Sequence, residues 1–84
     1  MKYAIEYKPR AQKQIRAITP IDQQRILNCV EMFSADRIGD IKKLTNFTPS
    51  FRLRVRNYRV LFEIEGDSIV VYQVLHRSSA YKKR

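Results

Sequence analysis

F-R-L-R-V-R-N-Y-R-V-L-F-E-I-E-G-D-S-I-V-V-Y-Q-V-L-H, residues 51–76, carries the signal that decides the fold. Three runs, 51–56, 58–65 and 68–75, are rich in β-branched and aromatic residues and are broken by Arg56-Asn57 and by Gly66-Asp67, pairs suited to tight hairpins. They read as a three-stranded antiparallel meander. Successive side chains of a strand point to opposite faces, so Phe51, Leu53 and Val55 can enter a core while Arg52, Arg54 and Arg56 stand together on the other side. With Arg59 they make four arginines in eight residues and no acid among them. Guanidinium is permanently charged, and its fork of donors matches phosphate oxygens. Such a row repels itself unless a polyanion lies against it, which makes RNA, DNA or an acidic protein segment the expected partner.

The segments before this meander supply what covers it. Residues 2–8 alternate, with Tyr3, Ile5 and Tyr7 on one side, and read as a half-buried strand. Pro9 suits a first helical turn, and Ala11, Ile15 and Ile18 follow at helical spacing, predicting a short helix over 9–18. Thr19-Pro20-Ile21-Asp22 combines a cap residue, a proline at the first helical position and an acid three residues after the cap. A second helix should run to about residue 33 or 35, burying Ile26, Val30 and Phe33, with Leu27 alongside and Met32 as further core material. Two amphipathic helices in a hairpin must lay their apolar faces on something, and a sheet is at hand. Residues 34–50, with Asp36, Gly39, Asp40, Asn46 and Pro49, read as a connection holding at most one strand-like or helical turn near Ile41 to Leu44. The expected architecture is α+β over one domain, residues 1–84: two N-terminal helices packed on a small four-stranded, antiparallel-rich sheet, in chain order β-α-α-β-β-β.

Charge sharpens the picture. Seventeen Lys and Arg against eight Asp and Glu give a net +9; residues 1–40 hold seven bases and five acids, whereas residues 41–84 hold ten bases and three acids. The basic function belongs to the second half. A chain of 84 residues buries only about 60 to 65% of its unfolded surface, so its stability is marginal. The single cysteine, Cys29, can form no internal disulfide and reads as plain packing, which with the lack of an apolar leader points to a reducing cytoplasm. No apolar run approaches the roughly 20 residues of a membrane span. One histidine, one cysteine and two glycines offer neither a metal-ligand cluster nor a glycine-rich phosphate loop, and no cofactor is expected.

What remains is a polar set suited to phosphate: Arg52, Arg54, Arg56 and Arg59, then His76, Arg77, Ser78, Ser79 and Tyr81 after the last strand. In a meander Arg56, Arg59 and residue 76 fall at one end of the sheet, because each hairpin reverses direction. Their ordinary readings are a solvated strand face, a surface histidine, turn-forming serines and a tyrosine that clamps the tail.

With these residues placed, the chain resembles the RelE/ParE superfamily of small toxins from type II toxin–antitoxin systems, nearest its RelE-like branch. The likeness lies in Y-K-P-R-A at 7–11, G-D-I-K-K-L at 39–44, F-R-L-R-V at 51–55, N-Y-R-V-L-F-E-I at 57–64 and H-R-S-S-A-Y at 76–81. It implies a small antiparallel sheet carrying two helices. It also implies an endoribonuclease that cuts messenger RNA in the ribosomal A site without metal and is held inactive by a cognate antitoxin. By that likeness Arg52 and Arg54 match basic strand positions, Arg59 the arginine of the Y-R motif, Arg77 the arginine of the H-R motif and Tyr81 the tail tyrosine, while His76 takes a place that is often basic. Metal-free cleavage requires the 2′-hydroxyl to be deprotonated, the crowded oxyanion neutralised and the leaving oxygen protonated. Arg52, Arg54 and Arg59 suit the second task, with Arg56 beside them. His76, Tyr81 and Arg77 are the candidates for proton transfer, with no assignment among them. Where many relatives have lysine on the strand this chain has Arg52 and Arg54, so a lysine-as-base scheme does not transfer from those positions. The ParE branch offers a different reading, a non-enzymatic inhibitor of DNA gyrase.

Overall fold

Ile5 and Tyr7 form the core side of a first strand, β1 (Ala4–Tyr7), with Tyr3 just ahead of it packed on the same core, and the chain turns at Lys8 straight into α1 (Pro9–Arg16). The computed structural model describes residues 2–78. The first helix stops two residues short of the expected end, its closing N–H groups turning back to Gln14 and Ile15. Helix α2 (Pro20–Asp36) starts where the Thr-Pro signal places it, although the Thr19 hydroxyl points to the Asp22 carboxylate, 3.4 Å away, instead of capping a backbone N–H. It ends at Arg37 in the left-handed region (φ 59°), whose guanidinium lies 3.9 Å from the ring centre of Tyr3 and thereby ties the end of α2 to the start of β1.

Four further strands follow: β2 (Asp40–Lys43), β3 (Phe51–Val55), β4 (Tyr58–Glu65) and β5 (Ser68–His76). They make one five-stranded sheet in the order β1-β5-β4-β3-β2, antiparallel throughout except for β1, which runs parallel to β5. The expected sheet had four strands; β2 is the addition. It pairs along its whole length with β3, Asp40 opposite Arg54 and Lys43 opposite Phe51. Only Ile41 among its four residues is apolar and partly buried, since Lys43 on the same side is exposed, so it carries no apolar alternation that a reader of the sequence could detect.

Both helices lie on one face of the sheet. Ala11 and Ile15 from α1 and Ile26, Val30 and Phe33 from α2 meet Leu53, Val55, Val60, Phe62, Ile69, Val71 and Val74. Phe62 is the hub, with Phe33 and Phe51 at 5.6 and 5.5 Å between ring centres. Met32, expected in this core, is 48% exposed, because it falls on the stripe of α2 turned from the sheet. Between Leu61 and Phe62 of β4 the register to β5 slips from Gln73 to Val71, leaving Tyr72 as an extra residue, a β-bulge. Gln14 of α1 accepts the Val74 N–H at 2.6 Å, satisfying a donor of β5 beyond the end of β1. The loop before β3 is fastened to the sheet by Glu63, whose carboxylate accepts from the Ser50 N–H and hydroxyl at 2.9 and 3.0 Å. Gly39 opens β2 at φ 155°, and a Cβ there would sit 2.9 Å from Leu53 Cδ1.

Two measurements check this core. Phe62→Ala removes the ring that Phe33 and Phe51 share and should lower stability by roughly 3–5 kcal/mol in urea unfolding. Burial, aided by the Glu31 carboxylate, pushes the Tyr7 phenol up from 10.0 to about 12. The neutral phenol's contribution is therefore whole below pH 10 and is lost as pH rises to about 12, since the unfolded chain ionises first. Unfolding curves across that window should show a fall in stability that is shallower in Tyr7→Phe.

Candidate nucleic-acid interface

The face of the sheet turned from the helices is where the arginines gather. Leu53 and Val55 are buried on the helix side, so Arg52 and Arg54 point the other way. Register brings two more cations to them. Arg54 lies directly opposite Arg59 of β4, and Lys42 of β2 directly opposite Arg52. Lys42, Arg52, Arg54 and Arg59, with Leu44, line a concavity of about 290 Å³. Lys42 and Leu44 were missed by sequence reading, because the strand that brings them there was not legible.

The four cations are not equivalent. Arg52 is held by Asp40, with one guanidinium nitrogen 3.3 Å from the carboxylate and 3.2 Å from the backbone carbonyl, and its side chain is only 13% exposed. Arg59 donates to the carbonyls of Arg56 and Tyr58 at 3.2 and 3.1 Å, which fixes it at the β3–β4 turn. Arg54 is exposed and makes no hydrogen bond or ion pair among the described residues. Like charges directly opposite each other on a sheet are unfavourable. The Arg54–Arg59 pair thus sets a small cost that a bound anion would remove.

The remaining expected residues divide. Arg56 is not a fourth member of the strand row; β3 ends at Val55 and Arg56 is the first residue of the two-residue turn, with φ 55°, a conformation that usually falls to glycine or asparagine. It stands at the rim. His76 ends β5 at the same end of the sheet as Arg59, as the topology requires, but its partner across the strands is Tyr58 on the helix-bearing face. The two rings meet edge-on at 5.5 Å, and His76 Nδ1 is 3.0 Å from the Ser78 hydroxyl. His76 is therefore beside the arginine row in position along the strand and on the other side of the sheet in orientation. Arg77 is exposed, its N–H bound to the Asn57 carbonyl at 2.6 Å, which seats it over the β3–β4 turn. Ser79 and Tyr81 lie outside the described residues.

A larger groove of about 620 Å³, lined by residues that include Lys8, Pro49, Glu63, Glu65 and Tyr72, borders the same sheet. There the cations Lys8 and Arg10 are offset by two carboxylates, whereas the smaller concavity is lined by four cations and no acid and is the better match to a polyanion. Fold and site together define a small basic α+β protein whose sheet carries helices on one face and a cluster of cations on the other.

Comparison with known proteins agrees with that class. The family described as ParE toxin of type II toxin-antitoxin system, parDE, matches residues 5–81, and the chain belongs to it. Toxin RelE3 of Methanocaldococcus jannaschii is 48% identical over 42 residues, a match that covers 50% of this chain and 48% of that protein, about half the length of each. Among solved structures, the RelB-RelE antitoxin-toxin complex from Methanococcus jannaschii contains a chain that is 30% identical, with a TM-score of 0.75 over 90% of this chain and 94% of that one. The archaeal RelE-RelB complex from Pyrococcus horikoshii OT3 aligns with a TM-score of 0.77 over 95% and 100% of the two chains; at 18% identity it shows the shared fold.

The free cation on this face should be visible in salt dependence. Binding of single-stranded RNA should weaken linearly in log–log terms as salt rises. Arg54→Ala should reduce that slope by about 0.7, the share of one neutralised phosphate, whereas Arg25→Ala, on the far side of α2, should leave it unchanged.

Proposed function

We propose that the protein is the RelE-like toxin of a toxin–antitoxin pair, a ribosome-dependent endoribonuclease that cuts messenger RNA in the A site and so stops translation. The observation that carries this reading is the concavity in which Lys42, Arg52, Arg54 and Arg59 converge on one strand-borne surface. Chemically, the 2′-hydroxyl of the preceding ribose attacks phosphorus and leaves a cyclic phosphate and a free 5′-hydroxyl. Because the nucleophile belongs to the substrate and guanidinium groups carry the neutralising charge, the scheme asks for no metal. Arg52 and Arg59, already oriented by Asp40 and by backbone carbonyls, act as fixed donors to the phosphorane oxygens, and Arg54 supplies the mobile one. Arg56 and Arg77 at the rim hold flanking phosphates. For the base that takes the 2′-hydroxyl proton Tyr81 is the candidate, since the His76 ring is turned to Tyr58 on the helix-bearing side. A ribosome that fixes the substrate's geometry supplies much of the barrier reduction by orientation, which suits a site with so few proton-transfer groups.

The same surface invites its own inhibitor. An acidic or amphipathic antitoxin segment laid over Arg54 and Arg59 would cover the site and relieve their repulsion. The solved relatives of this fold, crystallised as RelB–RelE complexes, support that partner. The family description also supports a second reading, a ParE-like protein that inhibits DNA gyrase by binding and has no catalytic residues.

One experiment separates them. Purified protein added to ribosomes programmed with a defined message should shorten it within the A-site codon, and Arg59→Ala should slow cutting by about 10²- to 10³-fold, the usual effect of losing one fixed oxyanion donor. Intact message, together with loss of gyrase supercoiling, would establish the binding inhibitor instead.

A further inference from the structure

With Tyr81 assigned to the base, the nuclease reading leaves one task open: a group among the described residues must protonate the 5′-oxygen as it departs. The arginines of the concavity cannot do so, because guanidinium does not release its proton in proteins. His76 faces the helix side with Tyr58. Lys43, the next residue along β2, stands opposite Phe51 and shares the orientation of the core row.

Lys42 is different. It lies opposite Arg52 on the open face, lines the concavity with the three arginines, is exposed, and makes no hydrogen bond or ion pair among the described residues. Of the four cations there it alone is an ammonium, which can hand a proton to a strongly basic departing oxygen, whereas guanidinium keeps its own. The charged groups that face it are Arg52 and Arg54 from β3, Arg59 from β4, and Asp40 on its own strand, whose carboxylate is already engaged by Arg52. An ammonium enters the reaction in its acid form, so no prior proton loss is needed for it to act as a donor.

We propose that Lys42 is the general acid of this site, giving its proton to the leaving 5′-oxygen; the inference rests on the nuclease reading above. The balance is simple. The 2′-oxygen forms its bond to phosphorus while its proton passes to the base, and the bond from phosphorus to the 5′-oxygen breaks with its electron pair on oxygen. That oxygen takes a proton from Lys42 Nζ. The products are a 2′,3′-cyclic phosphate and a 5′-hydroxyl, and the neutral amine regains a proton from water. A donor on β2 accounts for what the arginines at 52 and 54 cannot supply: the transferable proton comes from the neighbouring strand.

The test uses two messages on programmed ribosomes, one with the ordinary bridging oxygen at the cleavage position and one with sulfur there, since a thiolate leaves without being protonated. Wild type should cut both. Lys42→Met should cut the oxygen message more slowly by about 10²-fold or more, in the range of general acid contributions, and the sulfur message close to the wild-type rate. Lys42→Arg, which keeps the charge but holds its protons too tightly to give one up, should show the same pattern. Its unfolding curve reports whether the sheet is intact. A Lys42→Arg protein that cuts the oxygen message at the wild-type rate, or equal losses on both messages in Lys42→Met, would overturn the proposal and leave Lys42 as a phosphate-binding residue. If wild type cuts neither message, the nuclease reading itself fails and this assignment with it.

Discussion

The register between β3 and β4 governs everything else in this molecule. Leu53 opposite Val60 and Arg54 opposite Arg59 are consecutive pairs, one turned into the core and the other out of it. Because side chains alternate with a period of two, sliding β3 by a single residue would drive arginines under the helices and leave Leu53 and Val55 in water. That slip is prohibited by the cost of burying unpaired guanidinium groups, which greatly exceeds the gain from any alternative pairing. The same apolar residues that hold the sheet to α1 and α2 therefore fix the spacing of the cations on the reverse face. Core and site are two sides of one strand.

On the open face, repulsion is managed locally. Asp40 is the one acid on β2, and it engages Arg52 through both its carboxylate and its carbonyl. Arg59 is satisfied by carbonyls that its own turn presents. These interactions neutralise only part of the charge, and they orient what is left. Leu61 and Val70 on this face are almost fully buried although no helix covers them, with Arg52 and Gln73 as the cross-strand neighbours of Leu61 and Glu63 as that of Val70. The aliphatic stems of long polar side chains can serve as cover there while their heads stay in water. A surface built this way is basic at its tips and apolar beneath.

Much of this was legible in the residues. The alternation of 51–55, the Gly66-Asp67 hairpin, the Thr-Pro start of α2 and the stripe Ile26, Val30, Phe33 all act through nearest neighbours, and each appears where the pattern puts it. What escaped depends on partners far along the chain. Strand β2 exists because β3 offers it an unpaired edge, and a D-I-K-K stretch with one apolar residue shows at most a strand-like or helical turn, without the pairing that makes it a fifth strand. With it escaped Lys42 and Leu44, the other walls of the concavity. His76 shows the same limit differently. Its position at the end of the sheet follows from counting hairpins, but its facing does not, because the extra residue at Tyr72 reverses the phase of the last part of β5. Val71 and Val74, three apart, both point inward, and His76 follows Val74. A bulge is invisible to a period-two reading.

The wall of the concavity formed by β2 is also the thinnest part of the sheet. It is four residues long, sits at the edge, and keeps only Ile41 under cover. Its closing loop is latched by Leu44 to Ser50 and by Ser50 to Glu63. Segments with so little buried apolar surface open at lower free energy than the body that bears them. The arginines of β3 and β4 thus belong to the packed floor of the sheet, whereas Lys42 and Asp40 belong to an edge strand with little apolar surface under it. Any ligand seated there rests on a well-packed base and leans against a wall held mainly by backbone pairing.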